Sequence, residues 1–119
     1  MKLNVNEVVK NLDGEALRKP ERLVDGKLIK SEKLTIKDVV LESLLAFKAD
    51  ERSASGEEKF KRYEIASLIN KGGIVELTTE QVLAIKNRVG EMGYTIVVGY
   101  IWSCIEKMES KEDKKVKGK

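Results

Sequence analysis

The spacing of apolar residues changes near residue 35 and divides the chain into two patterns. Before that point, short apolar clusters flank two Asp-Gly pairs. Val5, Val8 and Val9 precede Asp13-Gly14 and Ala16 and Leu17 follow it, while Leu23-Val24 and Leu28-Ile29 bracket Asp25-Gly26. Asp-Gly supplies the positive φ that a tight hairpin turn demands. The region therefore predicts one or two short hairpins, with Pro20 keeping the segment between them irregular or at a sheet edge.

From Thr35 onward the spacing becomes helical. Thr35 can cap a helix, Asp38 sits three residues on, and apolar residues recur at Ile36, Val39, Val40, Leu44 and Phe47. A polar stretch predicts a loop over 48–54. Ser55 then caps a second helix that opens with Glu57 and Glu58, and its predicted buried face is Phe60, Tyr63, Ile65, Ala66, Leu68 and Ile69. Gly72-Gly73 ends it. Ile74-Val75-Glu76-Leu77 reads as a short extended piece, and Thr78 or Thr79 caps a third helix with Val82, Ile85, Val89 and Met92 on one face and Gly93 at its close. In the last element, Ile96-Val97-Val98 and Tyr100-Ile101-Trp102 favour strand, but Val97, Ile101, Cys104, Ile105 and Met108 keep helical spacing over a length beyond most strands. Helix is preferred there. The fold class expected is mainly α (α+β): three to four helices packed together with a short N-terminal β-hairpin region. One domain spans 1–109, with hairpins in 1–33 and a helical core in 35–109.

Composition narrows the chemistry. The 119 residues contain no His, one Cys and one Pro, with 36% charged and 41% hydrophobic positions. Without His there is no Ser-His or Cys-His nucleophile pair and no ordinary catalytic zinc shell. A single Cys excludes a disulfide framework within the chain. The formal charge of +3 belongs to residues 110–119, where five lysines face two acids; the remaining 18 basic and 18 acidic residues balance. With Val116 as its one apolar residue, 110–119 is expected to be a disordered Lys-rich tail. No secretory signal pattern opens the chain, and the longest apolar stretch, 96–102, is far short of the roughly 20 residues that span a bilayer. A cytoplasmic location is the expectation.

Few constellations carry chemistry. The candidate second helix of a helix-turn-helix has no Lys, Arg, Asn or Gln in 95–105, so it cannot read base edges. Lys71-Gly72-Gly73 follows a helix where a phosphate loop would precede one. The acidic pairs Asp38/Glu42 and Asp50/Glu51 match no Ca²⁺-loop spacing and read as surface acids. Cys104, on the apolar stripe of the last helix, reads as a small hydrophobe. No catalytic residue, cofactor or metal site is expected. Lys59, Lys61 and Arg62 near Tyr63, with Lys114, Lys115 and Lys117 in the tail, are candidate nucleic-acid contacts, although Glu57, Glu58 and Glu64 are interleaved with the first group. Leu41 and Leu45 widen the first helix's stripe beyond one face, and Val98 and Trp102 do so for the last. Such excess either fills a two-sided core or meets another subunit, which makes these four the candidate protein interface.

Taken in order, Leu12-Asp13-Gly14, Leu34-Thr35-Ile36-Lys37-Asp38-Val39-Val40, the run from Ser55 through Phe60 to Tyr63, Val75-Glu76-Leu77-Thr78 before Glu80, and Val97-Val98-Gly99 leading into Trp102 make a recognisable series. The series resembles a group of small proteins encoded by tailed bacteriophages and prophages, over about 5–106. The Lys-rich tail and the Asp25-Gly26 insertion depart from it. The resemblance implies a phage or prophage gene context and no particular activity. A protein partner or self-association is therefore the leading expectation, and nucleic acid the second.

Overall fold

The structure, a computed structural model, describes residues 1–19, 22–29, 32–46 and 55–117, with the backbone alone at 22–24, 28–29 and 111–117. Its elements are β1 (Lys2–Asn4), β2 (Arg22–Val24), β3 (Lys27–Ile29), α1 (Ile36–Leu45), α2 (Gly56–Asn70), β4 (Ile74–Glu76), α3 (Thr79–Met92) and α4 (Thr95–Lys117). The fold is mainly α, with a short β-hairpin near the N-terminus.

The two Asp-Gly turns differ. Asp25 (φ 52°) and Gly26 (φ 78°) both take positive φ, as a two-residue type I′ turn requires, and join β2 to β3 in register Val24↔Lys27. At the first turn, the Asn11 side-chain oxygen accepts from the Asp13 and Glu15 amides, but the flanks form only the isolated bridge Lys10↔Ala16. The reason lies in a ring of three backbone bonds. Val9 N–H donates to the Leu34 carbonyl, Leu34 N–H to Leu17, and Leu17 N–H to Val9, at 2.8, 2.8 and 2.9 Å. Each segment divides its bonding between two neighbours, so no simple ladder extends. Pro20 lies outside the described residues.

The pairing of β1 with β4 changes the expected organisation. Antiparallel register Leu3↔Val75 links the N-terminus to the segment after α2 and buries both side chains. The N-terminal segment is thus tied to the helical part of the chain by strand pairing as well as by side-chain packing. The same segment serves α1: the Val5 and Glu7 carbonyls accept from the Lys37 and Ile36 amides, which belong to the first turn that no helix can satisfy internally.

Helix ends follow local chemistry. Thr35 with Asp38, and Thr78 with Gln81, form reciprocal capping boxes, and Ser55 caps α2 through Glu58 N–H. Gly72 and Gly73, at φ 76° and 71°, turn the chain out of α2. α2 packs on α1 through Ile65, Ala66 and Ile69, and helical spacing places Phe60 and Tyr63 on the opposite side. Both aromatics are exposed, contrary to their expected burial, and stack on each other with centroids 6.4 Å apart. Phe47 lies outside the described residues.

α3 is central to the helical packing, with α1 and α4 both against it. Its buried side chains are Val82, Ile85, Val89 and one cation, Arg88. The Arg88 Nε donates to the Ser43 carbonyl and Nη2 to the Ala46 carbonyl, each at 2.6 Å. The last turn of α1 contains no basic residue of its own, so α3 supplies the cation that its carbonyl end favours. α4 buries Val97, Ile101, Ile105 and Met108, resolving the strand-or-helix alternative as helix. Its backbone is helical through Lys117. Once packing has nucleated the helix, adding residues of good helix propensity such as Lys and Glu costs little.

Candidate functional site

A groove of about 1090 Å³ runs between one face of α4 and the N-terminal segment. On α4, helical spacing brings Thr95, Gly99 and Ser103 into line beside Ile96, Tyr100, Cys104 and Lys107. The opposite wall is β1 together with Glu7, Lys10, Asn11 and Leu12. That wall is positioned by the amides of α1, since Glu7 is held through its carbonyl by Ile36 N–H at 2.9 Å.

One carboxylate oxygen organises the lining. The Tyr100 hydroxyl donates to Glu7 Oε2 at 2.8 Å, and the Cys104 thiol donates to the same atom at 3.1 Å. Burial pushes the Cys104 thiol up to about 11, and the adjacent Glu7 carboxylate adds to the rise; Tyr100 and then Lys107 pull the other way and are outweighed. Burial, then Glu7, likewise raises Tyr100 well above the usual phenol range. Both groups stay protonated at neutral pH and act as hydrogen-bond donors. Cys104, half-buried beside this carboxylate, is therefore not an activated nucleophile.

The rim is cationic and partly apolar. Lys2, Lys10 and Lys107 are exposed, and none has an ion-pair partner among the described residues. Leu12 is 96% exposed and Ile96 is exposed as well. Sequence reasoning missed this site because Glu7 and Tyr100 stand 93 positions apart. The one local signal is the four-residue spacing of the small residues Thr95, Gly99 and Ser103 on α4.

The expected site residues lie elsewhere. Trp102 is half-buried against α3, its indole N–H donating to the Lys86 carbonyl at 3.1 Å, with the Lys86 ammonium 4.8 Å from the ring centroid. Val98 approaches Gly93 at the end of α3, and Leu41 packs against the core. Of the four candidate interface residues only Leu45 is exposed, so they do not form one exposed apolar face. On α2, Lys59 and Lys61 are exposed, Arg62 is half-buried, and Lys61 pairs with Glu57 at 3.8 Å. The side chains of Lys114, Lys115 and Lys117, and the whole of Asp50 and Glu51, lie outside the described residues. Asp38 is committed to structure: it accepts from the Thr35 amide and hydroxyl and pairs with Lys19 at 3.1 Å.

Among the described residues no helix is long and apolar enough to cross a membrane. No protein-family model, no curated protein and no solved structure matches this chain.

Proposed function

We propose that this chain is a small phage or prophage protein that acts as an interaction module, binding another protein or a second copy of itself without catalysis of its own. The groove between α4 and the N-terminal segment carries this reading. Its volume is at the upper limit of small-ligand pockets, and its rim combines exposed apolar residues with cations that have no ion-pair partner among the described residues. Its acid, phenol and thiol are bonded to one another instead of standing ready for a substrate. Light scattering over a concentration series measures self-association, and affinity capture by the full chain from nuclease-treated host lysate tests for a protein partner. A strictly monomeric protein that retains no partner refutes the reading.

A second reading, contact with single-stranded nucleic acid, is favoured by the exposed Phe60–Tyr63 stack beside Lys59 and Lys61 on α2. It requires binding to a single-stranded oligonucleotide that weakens steeply with salt and is lost in Phe60→Ala/Tyr63→Ala. Binding that is absent, or unchanged in this variant, removes it.

A further inference from the structure

We infer that the groove takes an acidic, extended peptide segment of a partner protein, laid between α4 and the free edge of β1. The inference rests on the interaction-module reading and names the chemistry of the partner. Charge decides the class of occupant. Lys2, Lys10 and Lys107 have no ion-pair partner among the described residues, and the Glu7 carboxylate, the one acid lining the groove, already accepts two hydrogen bonds. An incoming acidic side chain meets three cations at the rim, whereas a basic one finds only a carboxylate that is already engaged.

Backbone geometry decides the shape. In the β1–β4 ladder the Leu77 amide donates to the Met1 carbonyl at 2.7 Å and the Val5 amide to the Gly73 carbonyl at 2.9 Å. An antiparallel ladder alternates, so both main-chain groups of Lys2 and the Asn4 amide point away from β4, while the Asn4 carbonyl accepts from the Glu7 amide at 3.4 Å. β1 has no second strand neighbour among the described residues, and an extended segment can bond to that edge. Gly99 leaves the α4 wall low: a Cβ added there would meet no atom within 4 Å. Leu12 and Ile96 offer apolar contact for alternate side chains of the segment.

The test uses the full chain and a fluorescein-labelled ten-residue peptide alternating Glu with Leu and Val, followed by fluorescence anisotropy. The control peptide has Lys at every Glu position. The acidic peptide is expected to bind at least tenfold more tightly than the control. Gly99→Phe, which fills the groove at an open helical position, and Lys10→Glu/Lys107→Glu, which reverses its charge, are each expected to weaken binding at least tenfold with the circular dichroism spectrum unchanged. Equal binding of the two peptides, or acidic-peptide binding indifferent to both variants, overturns the inference. A natural partner captured equally by wild type and Gly99→Phe also overturns it and leaves the interaction-module reading standing. If the acidic peptide binds as expected but no partner or self-association is found, the groove chemistry holds and that reading fails.

Discussion

Replacing Arg88 by Met tests whether a buried guanidinium is what joins α1 to α3. Met keeps most of the aliphatic stem and removes the charge, so packing changes little while both 2.6 Å bonds to the Ser43 and Ala46 carbonyls are lost. Each bond to a charged donor contributes about 1.5–3 kcal/mol, and Ser43 is itself buried, so its carbonyl loses its partner away from solvent. The desolvation of the cation, relieved in the variant, offsets part of that loss. The net expectation is a destabilisation of about 3 kcal/mol. With a urea m-value of about 1.5 kcal/mol per M, the midpoint falls by about 2 M. At about 4 °C per kcal/mol for a chain of this size, Tm falls by about 12 °C. Arg88→Lys keeps the charge but not the fork that reaches two carbonyls, and falls between. The ion pair to Glu91, at 3.7 Å with Glu91 half exposed, contributes little, so Glu91→Gln shifts stability by less than about 0.5 kcal/mol. An Arg88→Met loss below about 1 kcal/mol refutes the reasoning: the cation's desolvation would then cancel its bonds.

Three further outcomes follow from named contacts. Burial alone would raise the Asp38 carboxyl, but the Thr35 amide, the Lys19 ammonium and the Thr35 hydroxyl together hold it below its ordinary 3.8. The folded state therefore binds fewer protons than the unfolded state across that interval; the stabilisation is complete above pH 3.8 and is lost as pH falls through the lower folded value. Urea unfolding between pH 2 and 6 should show this slope in wild type and a flatter one in Asp38→Asn, and parallel profiles count against it. Cys104, moved from 9.0 to about 11, should react with iodoacetamide at pH 8 roughly 100-fold more slowly than in the urea-unfolded chain, with Glu7→Gln accelerating the native reaction; a native rate within tenfold of the unfolded one contradicts this. A Cβ on Gly90 would lie 2.9 Å from the Trp102 ring, so Gly90→Ala should destabilise wild type through overpacking of about 1–3 kcal/mol, yet stabilise Trp102→Ala by the helix-propensity gain of about 1 kcal/mol; the same sign in both backgrounds is the failing result.

What the sequence revealed is what neighbours in the chain decide. Thr35 and Asp38, Thr78 and Gln81, and Ser55 are caps because a side chain three residues away reaches an amide of the same turn. Asp25-Gly26 turns because its two residues tolerate positive φ. The pairing of β1 with β4 was hidden for the opposite reason. Leu3 and Val75 meet across the whole of α1 and α2, and three-residue strands are too short to display alternation. Aromatic character alone predicts burial for Phe60 and Tyr63, but by helical spacing they fall opposite Ile65 and Ile69 and are exposed. Arg88 was invisible because nothing in its own helix needs it; the need lies in carbonyls 42 and 45 positions earlier.

These long-range contacts also set the candidate site. One wall of the groove hangs from α1, since the Val5 and Glu7 carbonyls are held by its first amides. α1 is fixed to α3 by Arg88, and α3 to α4 by Trp102 lying over Gly90 and bonded to the Lys86 carbonyl. α4 then presents Tyr100 and Cys104 back to Glu7, and its direct packing on β1 closes the circuit. The separation of the two walls is therefore set by contacts remote from the groove together with the Glu7 bonds inside it, while the rim is left with exposed lysines, an open glycine and a strand edge that has no second strand among the described residues. The contacts that hold the fold together are thus distinct from the surface available to a partner. For this reason Gly99 and the rim lysines can be changed to probe binding without disturbing the fold, and Arg88 cannot.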